Sequence, residues 1–373
     1  MNLPEKHEPF TDKYFLRTNQ ILKAEGLNPE ISMKVFARGT GEVDGLEDAV
    51  EVLDKFSDLS ETGEVWVTKN EIYQNKEPLM VIKGPVQSFA ELETMYLGVL
   101  SDAITKTAGI EEPNLGEVQE KFEILSEIYG EIPITYFGAR HYHFSLDKEI
   151  AAAALKGGAV QTSTDIGSSN IGLQGVGTTP HLLTIVLSSI YGKENATLET
   201  AKLFDKHMDE NIPRVTLVDT FNRELTDSLA VAEYFGKRQN MFRIDTCGEN
   251  IGEGGSPYDG GKTKDLSYQV GTGVTVELAK NLRLNLIENG HGYSTGTFLS
   301  SSFGNTEKAK IFVQANNEFK SETGYDLFVG VGIGEVSEAK FCTADIFEVD
   351  GKYLSKTGRE VSGIDYTNLR RAM

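Results

Sequence analysis

The chain has 373 residues and carries 56 acidic against 36 basic side chains, for a formal net charge of −20. This charge argues against nucleic acid and anionic membranes as partners, and no apolar run reaches the roughly 20 residues that span a bilayer. The length favours two domains. Two cysteines, Cys247 and Cys342, and an N-terminus without signal-peptide features predict a cytoplasmic protein.

Residues 1–118 are predicted to form a small α/β domain with a linking helix. An amphipathic pattern from Thr11 to Glu25 predicts a helix that ends at Gly26. Residues 32–84 then carry three segments with the alternation of strands. Helical periodicity follows at 86–107 and at 115–129.

From Ile132 the chain alternates between strands and helices. The strand candidates are 132–137, 158–162, 175–178, 213–218, 241–245, 284–287, 310–314 and 326–331. This alternation predicts a parallel sheet, and the number of units favours an irregular (β/α) barrel over residues 119–345. The segment 346–373 begins with a turn between two short strands and is predicted to return to the N-terminal domain.

Acids, an arginine and a histidine recur at the predicted strand ends. They lie in Val218-Asp219-Thr-Phe-Asn222, in Arg243-Ile-Asp245-Thr-Cys247 and in Gly175-Val-Gly-Thr-Thr-Pro-His181. A lone strand-end aspartate usually caps a helix, but two aspartates beside an arginine favour the active site of an α/β barrel. The run Gly330-Val-Gly332-Ile-Gly334 favours a phosphate cradle, because glycine lets backbone N–H groups approach an anion.

These strings resemble the nicotinate phosphoribosyltransferases of the compact archaeal and bacterial type. The resemblance also rests on Tyr14 to Leu22, on Gly84 to Gly98 and on Phe137-Gly-Ala-Arg-His141, in this order and spacing. It implies an irregular (β/α) barrel joined to a smaller α/β domain. It also implies transfer of ribose 5-phosphate from phosphoribosyl pyrophosphate to nicotinate in NAD biosynthesis, giving nicotinate mononucleotide and pyrophosphate. Mg²⁺ is the implied cofactor, and ATP is an implied coupled substrate.

The resemblance implies a role for each matching residue. The implied catalytic residues are His181, which would be phosphorylated by ATP, and Asp219 and Asp245, which would contact the ribose hydroxyls and bind Mg²⁺ together with pyrophosphate. The implied substrate-binding residues are Tyr14, Phe137, Arg140, Ser169, Thr178 and Arg243. The implied phosphate-binding residues are Gly330, Gly332, Gly334 and Asn316.

Two of these residues bear on substrate and assembly. Without the resemblance, Tyr14 and Phe137 would be interpreted as core aromatics; with it, they sandwich the pyridine ring. Tyr14 would come from a neighbouring subunit, which implies a homodimer with shared active sites, or a hexamer. At Ser169 the related nicotinamide enzyme has an aspartate, which would repel a carboxylate. A hydroxyl can donate to one, so this residue favours nicotinate.

Two segments depart from the family pattern. Gln314-Ala-Asn-Asn317 stands where members usually have Ser-Gly-Gly or Gly-Asp, and Ile333 stands where they have threonine. These changes leave open a weak or altered enzyme, or a catalytically weakened homologue that binds nicotinate or a nucleotide. A related nicotinamide or quinolinate phosphoribosyltransferase is a further alternative. An aldolase or isomerase barrel would need a lysine at a strand end, and none stands out.

Overall fold

The computed structural model describes residues 1–258, 268–359 and 363–373. Its α-helices are α1 (Lys13–Glu25), α2 (Leu46–Phe56), α3 (Leu59–Thr62), α4 (Val86–Phe89), α5 (Glu93–Thr107), α6 (Leu115–Tyr129), α7 (Asp147–Lys156), α8 (Asp165–Ser168), α9 (His181–Tyr191), α10 (Lys193–His207), α11 (Glu224–Phe235), α12 (Val276–Glu288) and α13 (Thr306–Thr323). Its strands are β1 (Glu30–Ala37), β2 (Gly41–Glu42), β3 (Glu64–Thr68), β4 (Ile72–Tyr73), β5 (Pro78–Pro85), β6 (Ile134–Tyr136), β7 (Gln161–Thr162), β8 (Val215–Leu217), β9 (Asn240–Ile244), β10 (Thr295–Leu299), β11 (Gly330–Ile333), β12 (Cys342–Val349), β13 (Lys352–Tyr353) and β14 (Leu369–Arg371).

An antiparallel sheet forms the N-terminal layer, in the order β13-β12-β1-β5-β3-β14. Strand β1 pairs with β5 on one side and with β12, which is distant in sequence, on the other. Its side chains Ile31, Met33 and Val35 are buried in one core with Leu53 of α2 and Leu100 of α5. The N-terminal layer is therefore completed by a strand that the chain makes only after the parallel sheet.

The second sheet is parallel throughout, in the order β7-β6-β11-β10-β9-β8, and it curls into a half barrel. Helices α6, α7, α11, α12 and α13 contribute to a second core around it. The predicted α/β class, with a barrel-type sheet joined to a smaller α/β layer, is confirmed. No helix among the described residues is both long and apolar enough to cross a membrane.

Three of the predicted strands are wrong. Residues 284–287 lie in α12 and residues 310–314 lie in α13. Their apolar residues recur at helical spacing, as Leu278, Leu282 and Leu286 do along α12. Residues 175–178 lack strand structure. Strand β10 was not predicted. A central parallel strand is buried on both faces, so the Thr-Gly-Thr-Phe-Leu string of β10 shows no alternation of apolar and polar residues.

Candidate active site

A cavity of about 930 Å³ lies between the carboxyl ends of the parallel strands and the N-terminal layer. The predicted site residues that line it are Tyr14, Phe137, Arg140, His181, Arg243, Asp245, Gly332 and Gly334. Asp219 contacts two of the lining side chains. The structure thus brings together most of the residues that the sequence singled out, from α1, α9 and four strand ends.

Asp219 follows β8 and is buried between two basic groups. Lys356 donates a hydrogen bond to one carboxylate oxygen, and the His181 Nε2 atom lies 3.1 Å from the other. Burial alone would raise the pKa of the Asp219 carboxyl, but the Lys356 ammonium and His181 outweigh it and hold the pKa below its usual range. Asp219 is therefore an anion at any pH at which the protein would work.

His181 begins α9, directly after Pro180, and a quarter of its side chain is exposed to the cavity (26%). Its Nε2 atom also lies 2.9 Å from the Lys356 Nζ atom. Burial and the Lys356 cation lower the pKa of His181, although Asp219 opposes them. The imidazole is therefore neutral at physiological pH, which is the protonation state that a nucleophilic histidine needs.

Arg243 and Asp245 form an ion pair at the end of β9. The Arg243 Nη2 atom lies 3.1 Å from the Asp245 carboxylate, and Ser300 bridges the two side chains at 2.9 Å and 2.7 Å. Burial would raise the pKa of Asp245, but Arg243 lowers it below the usual range. The guanidinium also lies 5.2 Å from the Phe137 ring centroid, so a flat aromatic surface and a cation adjoin in the cavity.

Arg140 is held by two buried carboxylates from the N-terminal layer. Its guanidinium lies 3.2 Å from Glu93 and 3.5 Å from Asp12, and 5.5 Å from the Tyr14 ring. Burial, together with the nearby Asp12, raises the pKa of Glu93 well above its usual range. The arginine is thus fixed in position beside the cavity by two acidic side chains.

The turn from Ser300 to Asn305 lines the cavity between β10 and α13. Ser301 and Ser302 have φ angles of 79° and 63°. Among the described residues, the backbone N–H groups of Ser301, Ser302, Phe303 and Gly304 donate to no protein acceptor. Consecutive unpaired N–H groups before a helix are suited to an anion, and a Ser-Gly-Gly string would adopt these angles without strain.

Of the predicted phosphate residues, Gly332 and Gly334 line the cavity, whereas Gly330 and Asn316 do not. A Cβ atom on Gly332 would lie 2.4 Å from the Phe137 ring, and one on Gly330 would lie 2.9 Å from the Phe298 ring, so these glycines make room for aromatic rings. Asn316 is buried within α13 and accepts hydrogen bonds from the backbone N–H groups of residues 327 and 328. The atypical segment 314–317 is therefore helical and lies away from the cavity.

Two predicted substrate residues also lie outside the cavity lining. Ser169 is exposed, and its hydroxyl donates to the Ile166 carbonyl at 2.6 Å. The Thr178 hydroxyl donates to the Val215 carbonyl. Both hydroxyls thus bond the chain's own backbone rather than face the space in which a substrate would bind.

Sequence reasoning missed several cavity residues. Lys356 is paired with Asp219, and Asp12 and Glu93 are paired with Arg140. Asp12 stands two residues before Tyr14 at the N-cap position of α1, where an aspartate is common, so a helix cap could have been predicted there. Nothing local marks Lys356, because its partner lies 137 residues earlier.

The donor set does not fit a Mg²⁺ ion bound directly by Asp219 and Asp245. Each carboxylate already contacts a cationic side chain. A divalent ion in direct contact would have to displace these groups or lie beside like charges. Among the described residues, no group of three or more Asp, Glu, His or Cys side chains could hold a metal.

Comparison with known proteins finds one matching domain model and several similar folds. Residues 12–104 match the family model of the quinolinate phosphoribosyl transferase N-terminal domain. A Saccharomyces cerevisiae protein assigned as a nicotinate phosphoribosyltransferase superposes with a TM-score of 0.68 at 16% identity, over 97% of this chain and 96% of that one.

Two further solved structures are similar. The nicotinate phosphoribosyltransferase from Vibrio cholerae has a TM-score of 0.64 at 12% identity, over 94% of this chain and 88% of that one. The enzyme of the same name from Porphyromonas gingivalis has a TM-score of 0.63 at 16% identity, over 95% and 94%. The chain thus carries an N-terminal part that matches the quinolinate phosphoribosyl transferase domain, and it has the fold of the nicotinate phosphoribosyltransferases.

Proposed function

We propose that the chain transfers the phosphoribosyl group from phosphoribosyl pyrophosphate to nicotinate in NAD biosynthesis. The observation that carries the proposal is the Arg243–Asp245 pair beside the Phe137 ring. The cavity that they line is also lined by His181 and Lys356, the two partners of the buried Asp219. The ring offers a stacking face for a pyridine. The guanidinium offers a partner for a planar carboxylate.

The reaction breaks the bond between the anomeric carbon of ribose and a pyrophosphate oxygen, which leaves with the bonding electrons. The pyridine nitrogen supplies the electron pair of the new bond to that carbon. Positive charge develops on the ribose as the bond breaks. The low pKa values of Asp219 and Asp245 support a role for both as fixed anions close to that charge.

The phosphate of the ribose would bind at the turn from Ser300 to Asn305. Its unpaired N–H groups support this assignment. Gly332 and Gly334 also line the cavity at the end of the neighbouring strand β11, and they would form the opposite side of the same site. Mg²⁺ enters this proposal only as an ion that accompanies pyrophosphate.

ATP coupling through His181 is part of the proposal. The neutral imidazole and its exposure to the cavity support attack of a ring nitrogen on the γ-phosphorus of ATP, with ADP as the leaving group. Phosphorylation would add negative charge next to Asp219 and so alter the affinity of this end of the cavity for pyrophosphate.

A homodimer or a hexamer, which the family resemblance implies, remains a prediction, but the sharing of Tyr14 between subunits is not part of this proposal. In the single chain, Tyr14 already lines the cavity with Phe137 and Arg140. A neighbouring subunit is therefore not required to bring an aromatic ring to this space. The alternative of a catalytically weakened homologue loses one support, because the atypical segment 314–317 lies in α13 and away from the cavity.

The test is a steady-state assay with labelled nicotinate, phosphoribosyl pyrophosphate, Mg²⁺ and ATP, in which nicotinate mononucleotide is measured. Nicotinamide and quinolinate serve as competing substrates. The matched control is Asp245→Asn, which keeps the shape but removes the anion and should lower kcat by about a hundredfold or more. Turnover of nicotinate below that of both competitors would exclude the proposed substrate.

A further inference from the structure

Two consecutive residues of the cavity wall adopt a backbone conformation that is unfavourable for their type. Ser301 and Ser302 have φ angles of 79° and 63°, in the left-handed region that favours glycine. Such strain persists only where the surrounding structure enforces it. An interaction that holds this turn is therefore to be expected close by.

Lys308 supplies such an interaction. Its side chain is on the first turn of α13 and is almost fully buried (3% exposed). The Nζ atom donates to the Ser301 carbonyl at 2.9 Å and lies 4.3 Å from the centroid of the Phe303 ring. The lysine thus reaches back from the helix to the strained turn.

The position is a costly one for a cation. Burial lowers the pKa of Lys308 to about 7, although the nearby Asp245 opposes the change. The start of a helix also disfavours positive charge. A methionine would fill this space without either cost, so packing alone gives no reason for a lysine here.

We propose that Lys308 is a positioning residue that holds the Ser301–Ser302 turn in the conformation that binds phosphate. The Ser301 carbonyl and the Ser302 N–H belong to one planar peptide group and point in opposite directions. The hydrogen bond from Nζ draws the carbonyl towards the buried side. It thereby keeps the Ser302 N–H available on the opposite side, towards the phosphate. The inference rests on the proposed function, which supplies that phosphate.

The experiment compares Lys308→Met with a triple variant that also carries Ser301→Gly and Ser302→Gly. Glycine adopts positive φ without strain, so it should remove the need for Lys308. The matched control is Lys310→Met, which removes an exposed lysine of the same helix. The dissociation constant for inorganic phosphate is measured by calorimetry, and KM is measured separately for phosphoribosyl pyrophosphate and nicotinate.

Lys308→Met should weaken phosphate binding by about tenfold, the effect of one lost charge-assisted hydrogen bond. It should raise KM for phosphoribosyl pyrophosphate but not for nicotinate. The triple variant should regain most of the affinity, and Lys310→Met should bind as the unaltered chain does.

The inference is overturned if Lys308→Met binds phosphate normally, or if the triple variant binds as weakly as Lys308→Met. Should Lys308→Met not fold, the triple variant decides: a folded triple variant that binds phosphate supports the inference, and an unfolded one overturns it. Phosphate binding that follows this pattern without turnover of nicotinate would contradict the proposed function alone. If the protein turns over nicotinate but its phosphate affinity is the same in all these variants, only the inference is contradicted.

Discussion

The Lys356 ammonium donates a hydrogen bond to the Asp219 carboxylate, although the two residues are 137 positions apart in the chain. Both side chains are nearly inaccessible to solvent (10% and 0% exposed). An anion buried in this way depends on its counter-ion, since an unpaired buried charge is strongly destabilising.

Lys356→Met should therefore destabilise the protein by about 3–5 kcal/mol, because it leaves Asp219 charged and without its main partner. The double variant with Asp219→Asn removes the charge as well and should recover much of the loss. Urea denaturation of the two variants and the unaltered chain measures the effect. Equal stability of the single and double variants would show that the two side chains are not coupled.

Because of Glu224, the free energy of unfolding is predicted to fall as the pH rises from 4.5 to 7. This residue is fully buried, accepts hydrogen bonds from Thr246 and from the Glu253 N–H, and its pKa is raised by burial and by Asp219 to about 7. Below pH 4.5 the side chain is protonated in both the folded and the unfolded state. As the pH rises, the unfolded chain loses its proton first, which favours unfolding.

Glu224→Gln mimics the protonated acid and should abolish this pH dependence. Between pH 4 and pH 8, the free energy of unfolding of the unaltered chain should fall by about 3 kcal/mol relative to that of the variant. A rise of this size in the pKa of Glu224 implies this difference. Unfolding free energies at four or five pH values measure the difference. A difference that does not change with pH would contradict the raised pKa.

His181 is predicted to accept a phosphoryl group from ATP and to modulate turnover rather than perform it. Incubation with γ-labelled ATP should give a label that is lost in acid and stable in base. His181→Ala should lack the label but retain measurable synthesis without ATP. His143→Ala is the matched control, since that histidine does not line the cavity. Label that persists in His181→Ala would exclude this residue as the acceptor.

Ser169→Asp is predicted to leave KM for nicotinate within about twofold of its original value, because an exposed, screened charge contributes little. The side chain is exposed and outside the cavity lining. Kinetics with nicotinate and nicotinamide measure the effect. A marked loss with nicotinate and a gain with nicotinamide would instead mean that the serine approaches the substrate, as the family resemblance implies.

Tyr14 is predicted to serve the cavity of its own chain, which it lines together with Arg140. Tyr14→Ala should raise KM for nicotinate through loss of a stacking face. A mixture of Tyr14→Ala and Asp245→Asn proteins should show no more activity than the two measured separately. Recovery of activity after subunit exchange would show instead that neighbouring subunits share a site.

Local patterns were enough to predict the N-terminal helix and strands. The helix predicted to end at Gly26 ends there, and the segments 32–84 contain β1, β3 and β5. The alternation in these segments and the Gly and Asp clusters between them are visible in the sequence, although β1 and β5 are buried along most of their length. In the half barrel, hydrophobic periodicity did not identify every element. Strand β10 is buried on both faces and lacks alternation, and α12 and α13 contain short apolar runs that resemble strands.

The site was predictable where an acid or a base directly follows a strand. Asp219 and Asp245 follow β8 and β9, and the parallel pairing of these strands brings their ends together. Lys356 could not be found in this way, since it reaches Asp219 from the segment after β13. The strained serines could not be found either, because nothing in Ser-Ser-Ser indicates a positive φ.

The pairing of β1 with β12 has a consequence for the order in which the chain can assemble. On the ribosome, β1 emerges more than 300 residues before its partner Cys342–Val349. Until then, the backbone N–H and C=O groups along one edge of β1 are unpaired, and such edges can pair with strands of other molecules. We expect a fragment of residues 1–118 to aggregate for this reason, and nascent chains to depend on chaperones until β12 is made. The parallel sheet, whose strands all precede β12, can form earlier.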